Sequence, residues 1–222
     1  MDQSTLDLLK DSLVPFASGL VRGTIPLTLA SFPIGLVLAL LLALMRLSSV
    51  RVLQGISRLY VSIIRGTPLL VQLLIIYYAL PEFGITWDPF PSAVVAFSLN
   101  VGGYASEVIR SAILSVPKGQ TEAALTIGMS YPTTMRRIVL PQAARVAVPP
   151  LSNTLISLVK DTSLASTIQV ADIMRKAAEI AGPTYQFFTL YALAAAYYWV
   201  VCLVLSFGQS RVETRLNRFV AR

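Results

Sequence analysis

Long runs of apolar residues, separated by shorter segments that carry the charges, dominate the pattern along this chain. Residues 23–45 hold no charged side chain, and a helix of that length, at about 1.5 Å per residue, crosses a hydrocarbon core of about 30 Å. Similar runs follow over residues 59–80, 89–113, 146–159 and 182–210. The 146–159 run is short, so we expect its helix to begin earlier, to extend past Lys160 or to lie in a thinner region. The pattern predicts an all-α membrane protein with five transmembrane helices.

Basic residues are concentrated in alternate connections between these five spans. Residues 46–58 carry three arginines and no acid, and residues 114–145 and the C-terminal tail also have a basic excess. The N-terminus and the segments 81–88 and 161–181 have no such excess. Cytoplasmic loops are enriched in Lys and Arg, and so we predict that the N-terminus lies outside and the C-terminus inside.

The N-terminal segment has an amphipathic pattern. Leu6, Leu9, Leu13 and Leu20 recur near helical spacing, which predicts a helix over residues 3–18 lying on the outer, periplasmic surface of the membrane. A frayed polar tail is the alternative. The segment lacks a basic n-region and a small-residue cleavage site, so we expect no cleaved signal peptide. The predicted organisation is one transmembrane domain over residues 1–222, comprising a surface helix (1–18), a five-helix core (19–215) and, within that core, a cytoplasmic loop (116–141).

The composition supports a membrane protein and excludes several kinds of chemistry. Hydrophobic residues make up 55% of the chain and charged residues 13%, where soluble domains average about 25% charged. Histidine is absent and Cys202 is the single cysteine, which excludes disulfide frameworks, His or Cys metal sites and Ser-His catalysis. No Gly-Lys pair occurs, so the chain has no P-loop for ATP. The net charge of +7 follows the membrane topology, and we expect no nucleic-acid partner.

The cytoplasmic loop differs from the rest of the chain because it combines charges with helix breakers. Good helix formers over residues 118–127 are followed by Gly128, which suits a left-handed C-terminal cap. Ser130 suits the N-cap of a second helix, with Pro132 in its first turn and Pro141 at its end. Ala123 and Ala124 would give a shallow face next to Glu122, open to another protein. Helices that only cover the end of the bundle are the alternative.

This loop resembles the EAA motif of permease subunits of bacterial ABC importers. The pattern EAA, three residues, G, nine residues, I, one residue, LP is matched by Glu122, Ala123, Ala124, Gly128, Ile138, Leu140 and Pro141. The resemblance implies that the loop forms a coupling helix, which docks on a separate ATPase subunit that binds ATP and magnesium. The permease itself is then not an enzyme and has no cofactor of its own.

Further segments resemble the polar amino acid subfamily of these permeases, and the cystine permeases in particular. They include RGTPLLVQLLIIYYALP, SLNVGGYASEVIRSAI and SLVKDTSLASTIQV. The resemblance implies a multi-pass protein of the bacterial inner membrane that pairs with a second, identical or paralogous permease and receives its substrate from an external solute-binding protein. Importers of arginine, histidine or glutamine share most of these segments and are the alternative.

Polar residues within the spans are candidates for a substrate path, because each is costly where it faces lipid. Asn100, Tyr104 and Glu107 share one helix face by their spacing. Glu107 suits the amino group of a zwitterionic substrate, and an ion pair with Arg110 or with Arg65 is the alternative.

Two further segments contribute candidates for the path. Arg65 and Thr67 flank a break in the second span, where Pro68 frees backbone carbonyls that could line a cavity; helix packing and gating are the alternatives there. Asp161 and Thr162 follow the fourth span. Asp161 either attracts an ammonium group or, as the favoured alternative, caps the next helix.

Two other classes of membrane protein compete with the importer permease. A secondary transporter usually shows internal repeats and several membrane-embedded acids, whereas we find no repeat and only Glu107 well inside a span. A scaffold protein has no need for a complete coupling motif. The sequence therefore favours the permease of an ATP-driven importer.

Overall fold

The protein is described by a computed structural model, which covers residues 3–217. These residues form ten α-helices: α1 (Gln3–Gly19), α2 (Ile25–Leu47), α3 (Arg51–Gly66), α4 (Leu69–Leu74), α5 (Pro89–Leu114), α6 (Lys118–Thr126), α7 (Tyr131–Thr134), α8 (Leu140–Asp161), α9 (Ile173–Thr184) and α10 (Phe187–Asn217). Shorter helical turns join several of them: π-helical turns over Leu20–Thr24, Ile75–Ala79 and Met135–Val139, and 3-10 helices over Leu80–Phe83 and Thr162–Ile168.

The first span has the length that its uncharged run predicts. The prediction was residues 23–45, and α2 covers Ile25–Leu47. The helix predicted over residues 3–18 is present as α1, and the π-helical turn joins it to α2 without a break, so that Thr5–Leu47 is one helix of 43 residues. Phe16 of α1 is fully buried against α9 and α10. The position of α1 on the outer membrane surface stays a prediction.

Close helix contacts in the core depend on small residues of α2 and α5. A Cβ atom added to Gly35 would lie 2.6 Å from the Val101 side chain, and one added to Gly102 would lie 2.7 Å from Leu38. Without those atoms the two backbones approach closely, as is common between membrane helices. α3 also packs on α5, where the Tyr60 hydroxyl donates a hydrogen bond to the Leu99 carbonyl at 2.8 Å. α5 is therefore at the centre of the bundle, where it can carry residues of a site.

The predicted second span is not one helix. α3 and the helical segment that begins with α4 meet at a bend of 105°, within the 59–80 run. Thr67 has extended backbone angles and Pro68 follows it, as expected where proline excludes the preceding residue from the helical region. The predicted break at residues 66–68 is therefore confirmed.

The fourth predicted span is part of a longer helix. α8 starts before residue 146 and extends past Lys160, as the short apolar run required. Pro141 was predicted to end a helix, and this is wrong: it lies in the first turn of α8, directly after a π-helical turn. Such a turn re-satisfies backbone groups that a proline leaves without a donor, and the chain stays helical from Tyr131 to Asp161.

Length and composition identify fewer spans than the sequence pattern predicted. In the described part of the chain, three helices are long and apolar enough to cross a membrane, or four if the bent pair counts as one span. α8 is not among them because polar residues lower its mean hydropathy. The all-helical architecture agrees with the prediction, while the count of five and the orientation stay predictions.

A buried carboxyl holds the start of α9. Asp172 has no exposed surface; it accepts a hydrogen bond from the Arg175 backbone N–H at 2.8 Å and another from the Tyr198 hydroxyl at 3.0 Å. Burial raises the pKa of Asp172 to about 6, despite these donors. The backbone here passes so close to the first helix that a Cβ atom on Gly23 would lie 2.4 Å from the Ala171 carbonyl oxygen. Asp172 and Gly23 thus tie α9 to α10 and to the first helix.

Candidate functional site

The loop with the EAA pattern has the backbone that its residues predict. α6 ends at Thr126 and is followed by a left-handed residue, Gly128, with φ +84°. The Met129 N–H donates to the Ala124 carbonyl and the Gly128 N–H donates to the Leu125 carbonyl, both at 3.0 Å, which together form a Schellman cap. A residue with a side chain is strained at such a φ, so the local backbone conformation favours glycine at position 128.

The second helix of the loop begins where predicted, with a different cap. Ser130 is the N-cap residue of α7 and Pro132 lies in the first turn. The Ser130 hydroxyl pairs with the Thr133 hydroxyl at 2.8 Å rather than with a backbone N–H. The Ser130 carbonyl accepts from the Thr134 N–H at 2.9 Å. The sharp turn between α6 and α7 is therefore held by backbone hydrogen bonds.

The side chains of the EAA pattern face different directions. Glu122 and Ala123 are exposed, whereas Ala124 is only 2% exposed. The expected shared face of Ala123 and Ala124 is therefore wrong, since neighbouring helical residues point about 100° apart. Ile138 is half-buried, and Leu140 and Pro141 are exposed.

A surface recess of about 730 Å³ lies beside Glu122 and connects the loop with the end of the first span. Its walls come from α6, α7, the π-helical turn and the ends of α2 and α5; they include Leu47, Leu114, Lys118, Tyr131 and Met135. Glu122 lies at a mostly apolar depression, an arrangement suited to contact with another protein.

A second cavity, of about 420 Å³, lies between the helix break, α5 and α8. Four of the seven residues predicted for the substrate path line it: Thr67, Asn100, Tyr104 and Asp161. α8 adds Asn153, Thr154 and Ser157, which repeat at helical spacing along one face. The structure therefore brings together polar residues from three separate segments of the sequence.

The other three predicted residues do not line this cavity. Arg65 lies over the Tyr104 ring, with its guanidinium carbon 5.4 Å from the ring centroid. Thr162 is fully buried and donates to the Val159 carbonyl at 2.7 Å. Asp161 lines the cavity and stands at the N-cap position of the 3-10 helix, but its side chain makes no capping hydrogen bond, so the favoured capping role is wrong. Asp172 accepts such a bond at the start of the next helix, α9.

Glu107 is held by two arginines. Its carboxylate lies 2.9 Å from the Arg110 guanidinium and 3.2 Å from that of Arg46, a residue of the first span. The ion pair with Arg110 is the alternative that the i, i+3 spacing offered, whereas Arg65 contacts Tyr104 instead. Two partners neutralise the charge of Glu107, so its side chain fits helix packing better than contact with a substrate.

Sequence reasoning missed Thr154, Ser157 and two amides of this region, Gln72 and Asn153. Gln72 joins the helix break to Asn100, because its amide contacts the Ile64 and Thr67 carbonyls and the Asn100 side chain. Asn153 lines the cavity and pairs with Gln209 of α10. Both lie in apolar surroundings, where a lone amide is costly, and that cost was the available signal.

Comparison with known proteins agrees with the fold. Residues 31–218 match the model of the family described as binding-protein-dependent transport system inner membrane component. The L-cystine transport system permease protein TcyB of Bacillus subtilis is 58% identical over 97% of this chain and 93% of its own length. The arginine transport system permease protein ArtQ of the same organism is 38% identical over 92% of this chain and 94% of its own length.

A solved structure shares the whole fold. The crystal structure of an amino acid ABC transporter with histidines superposes with a TM-score of 0.90 at 38% identity, covering 97% of this chain and 100% of the other. The family match covers well over half of the chain, and the EAA pattern lies inside it. This chain belongs to the binding-protein-dependent transport system inner membrane components.

Proposed function

We propose that this chain is the permease subunit of an ATP-driven importer that carries cystine across the bacterial inner membrane. The observation that carries the proposal is the identity of 58% over nearly the whole length to a permease named for L-cystine. Arginine, histidine and glutamine are the alternative substrates, since permeases named for arginine and for glutamine are similar in sequence at lower identity. The membrane location follows from the family description and from the long apolar helices.

The loop around Glu122 is the proposed contact with the ATPase. Glu122 and Ala123 are exposed, and the recess beside them lies between α6, α7 and the end of the first span. Movement of an ATPase bound at this recess would act directly on α2 and α5, whose ends form part of its wall. These two helices pack closely through Gly35 and Gly102. The partner ATPase binds ATP and magnesium in this proposal, and the permease contributes no hydrolytic site.

The cavity between the helix break, α5 and α8 is the proposed substrate path. Polar residues within a membrane helix cost a few kcal/mol each where they face lipid, and a shared cavity gives them polar surroundings instead. One permease chain encloses only part of a pathway, so a second permease subunit completes it. An external solute-binding protein delivers the substrate to the outer side.

Reconstitution tests the proposed substrate and the energy source together. The permease is placed in lipid vesicles with its ATPase and loaded binding protein, and uptake of labelled cystine is compared with that of arginine, histidine and glutamine. We expect cystine uptake that requires ATP. Uptake led by another amino acid would overturn the substrate, and uptake without the ATPase would instead indicate a secondary transporter.

Variants of the loop test the coupling role. Glu122→Lys reverses a charge at the proposed contact, and Gln120→Lys, two residues away and also exposed, is its control. We expect Glu122→Lys to leave membrane insertion intact and to separate ATP hydrolysis from uptake, while the control transports normally. Gly128→Val is compared with Gly119→Val, because only Gly128 has positive φ. Normal uptake by both Glu122→Lys and Gly128→Val would exclude the coupling role.

A further inference from the structure

The side-chain amide of Gln72 has only one possible orientation. The end of the amide that faces the helix break lies 2.8 Å from the Ile64 carbonyl oxygen and 3.2 Å from the Thr67 carbonyl oxygen. Carbonyl oxygens only accept hydrogen bonds, so this end must be the donor Nε2. The opposite end, Oε1, is an acceptor and lies 3.4 Å from the Asn100 side chain. The helix break thus fixes which way Gln72 points.

The orientation of Gln72 determines that of Asn100. Because Gln72 Oε1 can only accept, Asn100 must present its donor Nδ2 to it. Asn100 Oδ1 then has no hydrogen-bond partner within the described residues, although Asn100 lines the cavity. The Thr67 hydroxyl behaves in the same way: it donates to the Ile63 carbonyl at 2.8 Å and accepts from Gln72 at 2.9 Å. On this side of the cavity, Asn100 and Thr67 therefore offer acceptors.

The side-chain amide of Asn153, on the α8 side, has the opposite orientation to that of Asn100, with its donor toward the cavity. Gln209 Nε2 lies 2.8 Å from a Glu213 carboxylate oxygen, which only accepts when ionised, and 3.0 Å from Asn153 Oδ1. Asn153 therefore uses its oxygen on Gln209 and keeps its Nδ2 donor for the cavity that it lines. Ser157, one turn further along α8, also lines the cavity, and its hydroxyl has no hydrogen-bond partner in the described part of the chain. Asn153 Nδ2 and the Ser157 hydroxyl can therefore both donate into the cavity.

The two orientations match the two ends of an α-amino acid. An α-ammonium group has only donors, and an α-carboxylate only acceptors. The residues that line the cavity include one acid, Asp161, and no base, so amide and hydroxyl groups are the donors present for a carboxylate. We propose that Gln72 and Gln209 are positioning residues, which turn Asn100 toward the substrate ammonium group as an acceptor and Asn153 toward the substrate carboxylate as a donor. This inference rests on the proposed substrate path.

Two double-substitution cycles test whether each glutamine acts through its asparagine. Binding of labelled cystine is measured to the permease–ATPase complex in lipid nanodiscs, without the binding protein. Gln72→Leu and Gln209→Leu should each weaken binding about 10-fold or more, as expected when one hydrogen bond to a charged group is lost. In the Asn100→Ala background Gln72→Leu should add little, and in the Asn153→Ala background Gln209→Leu should add little. The crossed pairs, Gln72 with Asn153 and Gln209 with Asn100, are the matched controls and should be additive.

Two cystine analogues separate orientation from general damage to the fold. Cystamine lacks both carboxylates, and dithiodipropionate lacks both ammonium groups. Gln72→Leu should weaken competition by cystamine and spare dithiodipropionate, and Gln209→Leu should do the reverse. Equal losses for all ligands, glutamine effects that persist without the asparagines, or no saturable binding by the wild-type complex would each overturn the inference.

The same design distinguishes this inference from the proposed substrate. A transporter that takes up arginine and not cystine would refute cystine as the substrate. The cycles repeated with arginine, and with agmatine as the analogue without a carboxylate, would still decide the orientation, because both amino acids carry an α-ammonium group and an α-carboxylate. Coupled pairs with arginine would support the inference, and additive pairs would overturn it.

Discussion

The buried carboxyl of Asp172 predicts that the segment before α9 opens more easily as pH rises. Burial raises the pKa of Asp172 to about 6 in the closed segment, and exposure to water returns it to about 4. The closed state therefore holds the proton more tightly than the open state. Its stability relative to the open state is greatest below about pH 4 and falls as pH rises to about 6, by about 3 kcal/mol for a shift of about two pKa units.

Asp172→Asn removes the titration and keeps the cap. Asparagine still offers an oxygen to the Arg175 N–H, which Asp172 binds at 2.8 Å, and it is among the preferred N-cap residues. Amide hydrogen exchange in the first turn of α9 is measured for the wild type and the variant at the same pH, so that intrinsic exchange rates cancel. Between pH 5 and pH 7.5 the ratio of wild-type to variant protection should fall about tenfold, which corresponds to about 1.4 kcal/mol.

The direction of the change decides whether the reasoning holds. A ratio that stays constant between the two pH values, or that rises with pH, would refute the argument that burial dominates the pKa of Asp172. Asp7→Asn is the matched control, because Asp7 is an exposed carboxyl on α1. This control should leave the exchange of α9 unchanged at both pH values.

Two further substitutions test contacts that the structure makes specific. Gly23→Ala would place a methyl group 2.4 Å from the Ala171 carbonyl oxygen, a backbone atom that cannot move aside easily. We expect the free energy of unfolding to fall by about 1–3 kcal/mol, which a lower melting temperature in detergent would report. Gly208→Ala, where the added atom meets open space, should melt like the wild type, and equal melting of both variants would exclude the close contact. Glu107→Gln leaves the Arg46 and Arg110 guanidinium groups without their carboxylate and should lower the free energy of unfolding by about 1–3 kcal/mol. The KM for substrate should not change, because Glu107 does not line the cavity. A raised KM at unchanged stability would return Glu107 to the substrate path.

The sequence predicts well those features that depend on neighbours along the chain. The uncharged run over residues 23–45 located the C-terminal end of the first span within two residues, at Leu47, since crossing a membrane constrains only length and polarity. The left-handed cap predicted at Gly128 is confirmed, because it depends only on the residue itself and its neighbours in the chain. Pro68 marked a break correctly, but nothing in the sequence gives the angle of 105°. Pro141 was misread because the π-helical turn that accommodates it is not visible in residue types.

Contacts between distant segments are where the sequence reasoning stopped. The prediction that Asn100, Tyr104 and Glu107 share one face rested on their spacing within one helix. In the structure Asn100 and Tyr104 line the cavity, while Glu107 pairs with Arg46 of another helix.

Two pairs of amides are joined by hydrogen bonds in this region. Gln72 and Asn100 are 28 positions apart in the sequence, and Asn153 and Gln209 are 56 positions apart. No periodic pattern records such pairs. A polar amide inside a span nevertheless requires a partner for each donor and acceptor that it does not offer to a ligand. Each amide predicted in a membrane helix should therefore be considered together with a second amide on a neighbouring helix, because the second amide decides whether the first offers a donor or an acceptor.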